Sequence, residues 1–296
     1  MKKKIVYVCM SADILHAGHI NILERASRLG NVVVGLMTDQ AISYYKKIPF
    51  LNYYQREIVI RNLNMVQEVV PQNTMDYRPN LKKIKPDFVI HLAAYVGGLF
   101  KNMNFKVDMY EKNTLMNCNV LKCCHEIGVK KLVSCLSTCI FPDKTTYPIN
   151  ESMLHNGPPH SSNDAYAYAK RMLEVQSKAY QEQYKDNFIC VIPTNIYGEN
   201  DNYSLEGGHV IPALIHKCYL AKQNKEKFVV RGTGKPLRQF IYSTDLAKLI
   251  MWVLESYDEK DSIILSVSEE EEMSIGDVAR LVSKEFDYEH MMTFDD

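Results

Sequence analysis

The sequence predicts an α/β protein organised on a doubly wound parallel sheet. Two observations lead there. Near-continuous runs of Val, Ile and Leu recur along the chain, as strands covered on both faces require, and segments with helical spacing of apolar residues fall between them. No internal repeat or low-complexity linker divides the 296 residues, so one sheet with helices on both faces is the economical arrangement.

Residues Ile5–Met10 form the first buried strand. Residues 20–29 have helical spacing and end at Gly30, a suitable C-cap. The run 32–37 is again continuous and apolar, 56–63 is helical, and 66–70 gives a third strand. A short helix at 81–84 precedes a fourth strand at 88–92. The alternation continues with a helix at 114–127, a strand at 131–136, a long helix at 165–184 and the strand Phe188–Pro193. Beyond it come a helix at 210–221, a short strand at 228–230, a helix at 243–254 and a strand at 262–267. Ser274 supplies the N-cap of a last helix reaching about residue 286, and the glutamates at 269–272 read as a solvated loop.

Lysine plus arginine balances aspartate plus glutamate at 35 each, and the pI is about 7.1. No charge footprint therefore points to nucleic acid or to an acidic membrane surface. Lys2, Lys3 and Lys4 precede a short apolar run that His, Asp and Gly follow, unlike a secretory leader. No stretch reaches the ~18 apolar residues of a membrane helix. The expectation is a cytoplasmic protein with neither membrane nor nucleic-acid partners. The eight cysteines include no C-x-x-C pair and no Cys/His spacing for a metal, so no metal site is expected.

Two groups of residues carry chemistry. The first is His16-Ala-Gly-His19, placed where the first strand gives way to a helix. A helix N-terminus offers free amides to a polyphosphate, and histidines three apart share a face from which both can bond one phosphate. Two surface histidines would satisfy the spacing as well. With Met10 to His19, Gly35-Leu36-Met37-Thr38-Asp39 and Tyr53-Tyr54-Gln55-Arg56 around it, the segment 1–88 resembles the H-x-G-H nucleotidyltransferases, the cytidylyltransferases in particular. That resemblance implies CTP with Mg, phosphate contacts from His16, His19 and Asp13, and anion contacts from Lys46, Lys47 and Arg56. It implies in-line displacement of pyrophosphate by a small phosphorylated alcohol or a phosphonate.

The second group is Tyr166 and Lys170, four apart and so on one helical face. An ammonium beside a phenol is expected to lower the phenol pKa and make Tyr166 a general acid or base. Ser137 follows a buried strand and can bond the same oxygen. A bare Y-x-x-x-K also arises by chance, but here its neighbours come as a set. They are Val89-Ile90-His91-Leu92-Ala93-Ala94, Ser134 to Pro142, Pro193-Thr194-Asn195-Ile196-Tyr197-Gly198, Gly207 to Pro212, and Arg238-Gln239-Phe240-Ile241. In this order they make residues 89–296 similar to the GDP-L-fucose synthase family of extended short-chain dehydrogenases.

The second resemblance implies a Rossmann-like sheet with a small C-terminal substrate-binding lobe, NADPH as cofactor, a GDP-sugar as substrate and a homodimer. It implies that Ser137, Tyr166 and Lys170 reduce a ketone, and that Cys139 and His209 move protons on the carbons beside it. Lys170, Pro193, Thr194, Asn195, Ile196 and His209 would hold the cofactor; Lys217 and Arg238 would meet the diphosphate. Departures are visible too. Gly18, Gly30 and Gly35 cannot form the family's Gly-rich phosphate loop, which implies weak cofactor binding. Arg231 replaces an aromatic residue, and the chain stops at Asp296 before the family's final helices. The two resemblances meet near residue 88, where each family enters its fourth strand, so a chimera can keep its topology. An empty scaffold is the remaining alternative.

Overall fold

The computed structural model describes residues 4–44, 48–74, 76–199, 201–205 and 207–295. They fall into two compact units. One comprises 1–91, 116–132 and 179–188; the other comprises 92–115, 133–178 and 189–296. The chain passes between the units more than once.

The first unit opens with β1 (Ile5–Met10), α1 (Ala17–Leu29) and β2 (Asn31–Met37), followed by α2 (Asp39–Ser43), α3 (Tyr53–Arg61) and β3 (Val66–Gln72). Then come α4 (Arg78–Ile84) and β4 (Phe88–His91). Strands β1 and β2 pair in parallel, as do β2 and β3, to give a three-stranded sheet. Its core is built from Met10, Leu23, Ala26, Val32, Val34, Leu36, Ile60 and Val69. These are the residues of the apolar runs and of one face of each helix, which is why the pattern was readable.

Helix α1 starts three residues before the spacing predicts, because the His16 side chain caps it by accepting from the Gly18 amide at 3.1 Å. Gly30 ends the helix in extended backbone rather than in a left-handed turn. Its role is steric, since a Cβ there would lie 2.2 Å from the Lys4 carbonyl oxygen.

Downstream lie α5 (Leu99–Asn104), α6 (Lys106–Ile127), β5 (Lys131–Cys135), α7 (Asp164–Tyr184), β6 (Phe188–Pro193) and β7 (Asn195–Tyr197). They are followed by α8 (Val210–Asn224), β8 (Phe228–Arg231), β9 (Leu237–Arg238), β10 (Phe240–Tyr242) and α9 (Ser243–Ser256). The chain finishes with β11 (Ile263–Leu265), β12 (Met273–Ser274), α10 (Ile275–Glu285) and β13 (Met292–Asp295). In the second unit β6 pairs β11 in parallel, β7 pairs β10, and β8 pairs β13. A separate core of Leu214, Cys218, Ala221, Phe228, Val230, Val278, Ala279 and Val282 joins α8, β8 and α10.

The largest boundary difference is at α6, which begins at 106 rather than 114. A polar residue hides its first turns. Asn113 is fully buried, exchanging two bonds of 2.9 Å with the backbone of Tyr95, so the apolar period is broken where the helix is best anchored. All eight cysteines are free thiols. Among the described residues no helix is long and apolar enough to cross a membrane.

Candidate active site

Strand β5 delivers its last residue, Cys135, to the floor of a cleft of about 670 Å³ in the second unit. After it Leu136 turns inward, Ser137 stays extended, and residues Thr138–Ile140 make a single 3-10 turn. That turn lets Ser137, Thr138 and Cys139 all line the cleft. Helix α7 begins beside it, its first residue Asp164 held by Lys106 Nζ at 2.8 Å. Tyr166 and Lys170 then face the cleft from successive turns. Arg171 fixes the helix from behind, donating to the carbonyls of Ile140 at 2.5 Å and Gly157 at 2.7 Å.

Lys170 is almost fully buried, and its ammonium donates to the Cys135 carbonyl at 2.7 Å while lying 5.9 Å from the centre of the Tyr166 ring. This corrects the electrostatic expectation. Burial holds the Tyr166 phenol well above the usual tyrosine range, with Cys139 and Cys135 adding to the rise. Burial also pulls the Lys170 ammonium down. At neutral pH the tyrosine is a protonated phenol, suited to giving a proton rather than taking one. Burial raises the Cys139 thiol as well, partly offset by its bond to Ser137 and by the charge of Lys170. A thiolate is therefore the minor form at neutral pH.

The far wall comes from the end of β6 and from β7. Pro193, Thr194, Asn195 and Ile196 all line the cleft, and Asn195 is fixed by its side-chain bond to the Gln239 carbonyl at 2.9 Å. His209, the N-cap residue of α8, also lines it; its ring is mostly exposed, with Asp201 at 3.9 Å. Thr194, which the family resemblance implies for the cofactor, stands out together with two residues that sequence reasoning missed, Asn102 and Asn163. Asn102 Oδ1, Asn163 Oδ1 and Thr194 Oγ1 are buried with no hydrogen-bond partner among the described residues, and all three residues border the cleft. Orphaned acceptors beside an opening are a mark of a site built for a ligand. No sequence signal marks the two asparagines, because satisfaction of an amide oxygen depends on its surroundings.

Lys217 and Arg238 do not border this cleft. Lys217 lies on α8, and Arg238, on β9, gives a guanidinium nitrogen to the Leu237 carbonyl at 2.7 Å.

The residues of the H-x-G-H group lie in the first unit. Besides the His16 cap, the His16 amide donates to His19 Nδ1 at 3.4 Å, and the two rings stand 4.1 Å apart. Asp13 accepts from the Leu51 amide at 3.0 Å. Arg56 is 1 % exposed, and its guanidinium donates to the carbonyls of Leu51, Ser11 and Met37 and to Asp39 at 2.6 Å. A group so engaged clasps the ends of β1 and β2 and the loop before α3; it is not presented to a ligand. Lys46 and Lys47 lie outside the described residues.

Comparison with known proteins reaches across both units. The NAD dependent epimerase/dehydratase family matches residues 55–268, a span that runs back into the segment resembling a cytidylyltransferase. A GDP-L-fucose synthase of Dictyostelium discoideum is 60 % identical over 218 residues, covering 74 % of this chain and 68 % of that protein. The crystal structure of a GDP-L-fucose synthetase from Naegleria fowleri bound to NADP superposes with a TM-score of 0.71 at 48 % identity, over 81 % of this chain and 75 % of the other. A UDP-N-acetylglucosamine 4-epimerase from Methanobrevibacter ruminantium shares the fold over 99 % of this chain and 85 % of its own, with a TM-score of 0.74 at 21 % identity.

Proposed function

This chain belongs to the NAD dependent epimerase/dehydratase family, and we propose that it is an NADP-dependent epimerase and reductase of a GDP-linked 4-keto sugar, converting GDP-4-keto-6-deoxymannose to GDP-L-fucose. The observation that carries the reading is the convergence of Ser137, Cys139, Tyr166, Lys170 and His209 on one cleft. Pro193 and Ile196 give that cleft an apolar wall and Thr194 Oγ1 lacks a partner there, so these residues and Lys170 fit the nicotinamide end of the cofactor. When bound, the cofactor supplies hydride.

The chain's own groups do the rest. Ser137 and the Tyr166 phenol bond the ketone oxygen, and the phenol proton passes to that oxygen as negative charge develops on it. Lys170 is held under the site by its bond to the Cys135 carbonyl. Cys139 takes a proton from a carbon beside the ketone, and His209 returns one from the other side. The expected result is that the full chain, NADPH and GDP-4-keto-6-deoxymannose yield GDP-L-fucose with stoichiometric loss of NADPH; unaltered ketone would contradict the reading.

A homodimer is part of this proposal. Tyr168, Met172 and Val175 follow helical spacing on α7 and are 39 %, 40 % and 44 % exposed, an apolar stripe of the kind that helix pairs cover. Eight free thiols suit a cytoplasmic setting.

A further inference from the structure

Helices α1 and α8 each follow a histidine, and only α1 uses it as a cap. The His16 ring accepts from the Gly18 amide, whereas the His209 side chain makes no capping bond to α8. That side chain is 66 % exposed and lines the cleft. An exposed ring has several rotamers open to it, so delivery of a proton to one carbon calls for a second group that orients the imidazole. Asp201 stands in that place. Its Oδ1 is 3.9 Å from His209 Nδ1, and its side chain is 18 % exposed. The loop carrying it is tied to itself and to α8. The Asp201 amide donates to the Gly198 carbonyl at 3.3 Å, and Asp201 Oδ1 accepts from the Asn202 amide at 2.7 Å. Asn202 Oδ1 accepts from the Ser204 amide at 3.0 Å, and the Ser204 carbonyl accepts from the Gly208 amide at 2.8 Å. A Cβ on Gly208 would lie 2.4 Å from the Asn202 carbonyl oxygen, so the chain can close here only through glycine. His216, two turns along α8, donates from Nδ1 to the Tyr203 carbonyl at 2.7 Å.

We propose that Asp201 is the positioning residue for His209: its carboxylate holds the imidazole by Nδ1 and leaves Nε2 for the carbon beside the ketone. This rests on the reading of His209 as the group that returns a proton. The separation is an ion-pair distance, longer than a hydrogen bond, and contacts between catalytic groups tighten when the substrate is bound. In the step itself the Nε2 proton passes to the enolate carbon, a C–H bond forms there, and the enolate loses its charge. The imidazole is left neutral, its remaining proton on Nδ1 facing Asp201, which takes no proton. The other ionisable groups lining the cleft are Cys139, in the turn after β5, and Tyr166 and Lys170 on α7. None of them belongs to this loop.

Two readouts on the full chain test this. The first is the His209 tautomer, read by nitrogen-15 NMR at mildly alkaline pH, where imidazoles are neutral; His209→Gln identifies its signals among the nine histidines. The parent should carry the proton on Nδ1. Asp201→Asn keeps an oxygen for the Asn202 amide but removes the charge, and should lose that preference. The second is the product formed from NADPH and the keto sugar. Asp201→Asn should lower the ratio of inverted to uninverted reduced sugar ~10-fold, a fraction of the roughly 100-fold that a whole general acid supplies. A merely structural loss would slow reduction and inversion together and leave that ratio alone. Asp201→Glu, which restores a carboxylate, should recover part of the ratio. Glu199→Gln, whose carboxylate is bonded to Tyr242 instead, should match the parent. An unbiased tautomer in the parent, or a product ratio within twofold in Asp201→Asn, would overturn the proposal. The tautomer needs no turnover, which separates the two readings. If the preference is present in the parent and lost in Asp201→Asn while the keto sugar is left unaltered, the Asp201–His209 pair stands and the reaction falls. If the parent makes the inverted sugar and neither readout moves in Asp201→Asn, the reaction stands and the pair falls.

Discussion

The start of α1 and the cleft of the second unit both gather polar side chains at the end of a parallel strand, yet they use them in opposite ways. At α1 the polar groups satisfy one another. His16 and His19 form a capping box, Asp13 holds a loop amide, and Arg56 bonds three backbone carbonyls and Asp39. In the cleft, Asn102, Asn163 and Thr194 each keep a buried oxygen without a partner among the described residues, and Tyr166 and Cys139 are held in their neutral forms by burial. A motif is a site only where its groups remain unspent.

The sharpest way to break this contrast is to remove Arg56. If it is a clasp, Arg56→Ala should cost about 3 kcal/mol of stability in denaturant unfolding, because three carbonyls and Asp39 lose a buried donor. A loss of ligand affinity at unchanged stability would instead give it a binding role.

In the cleft, Cys139→Ser should slow exchange of the protons beside the ketone into deuterated water by roughly 100-fold, the scale of a lost general base. Exchange at the parent rate would remove Cys139 from that step. A pH series sharpens the point. The raised Cys139 thiol means that thiolate is scarce at neutral pH and grows as pH rises. Exchange should climb about tenfold per pH unit below the thiol pKa. Because the Tyr166 phenol is pushed up, it stays protonated through the same range, and proton delivery to the ketone should not decline there. A rate that falls between neutral and mildly alkaline pH would contradict both assignments.

The smallest effect belongs to His16. Its cap should be worth about 1 kcal/mol to α1, seen as a modest drop in melting temperature for His16→Ala.

Much of this was legible from the residues, and the physical reason differs by case. Apolar runs such as Phe188–Pro193 are buried along their whole length, so periodicity found them. Helix α6 was misread because Asn113, a polar residue, occupies a core position through its pairing with Tyr95. The cleft residues were reached through their sequence neighbours, but their ionisation was not. Spacing places Lys170 beside Tyr166 and says nothing of the Cys135 carbonyl that claims its ammonium.

The claim on which the account turns is that a protonated Tyr166 works in the second unit's cleft. Single-turnover oxidation of NADPH with the 4-keto sugar tests it directly. The account predicts that Tyr166→Phe is slowed at least ~100-fold relative to the parent chain, with substrate affinity changed far less. Equal rates for the two proteins would contradict it.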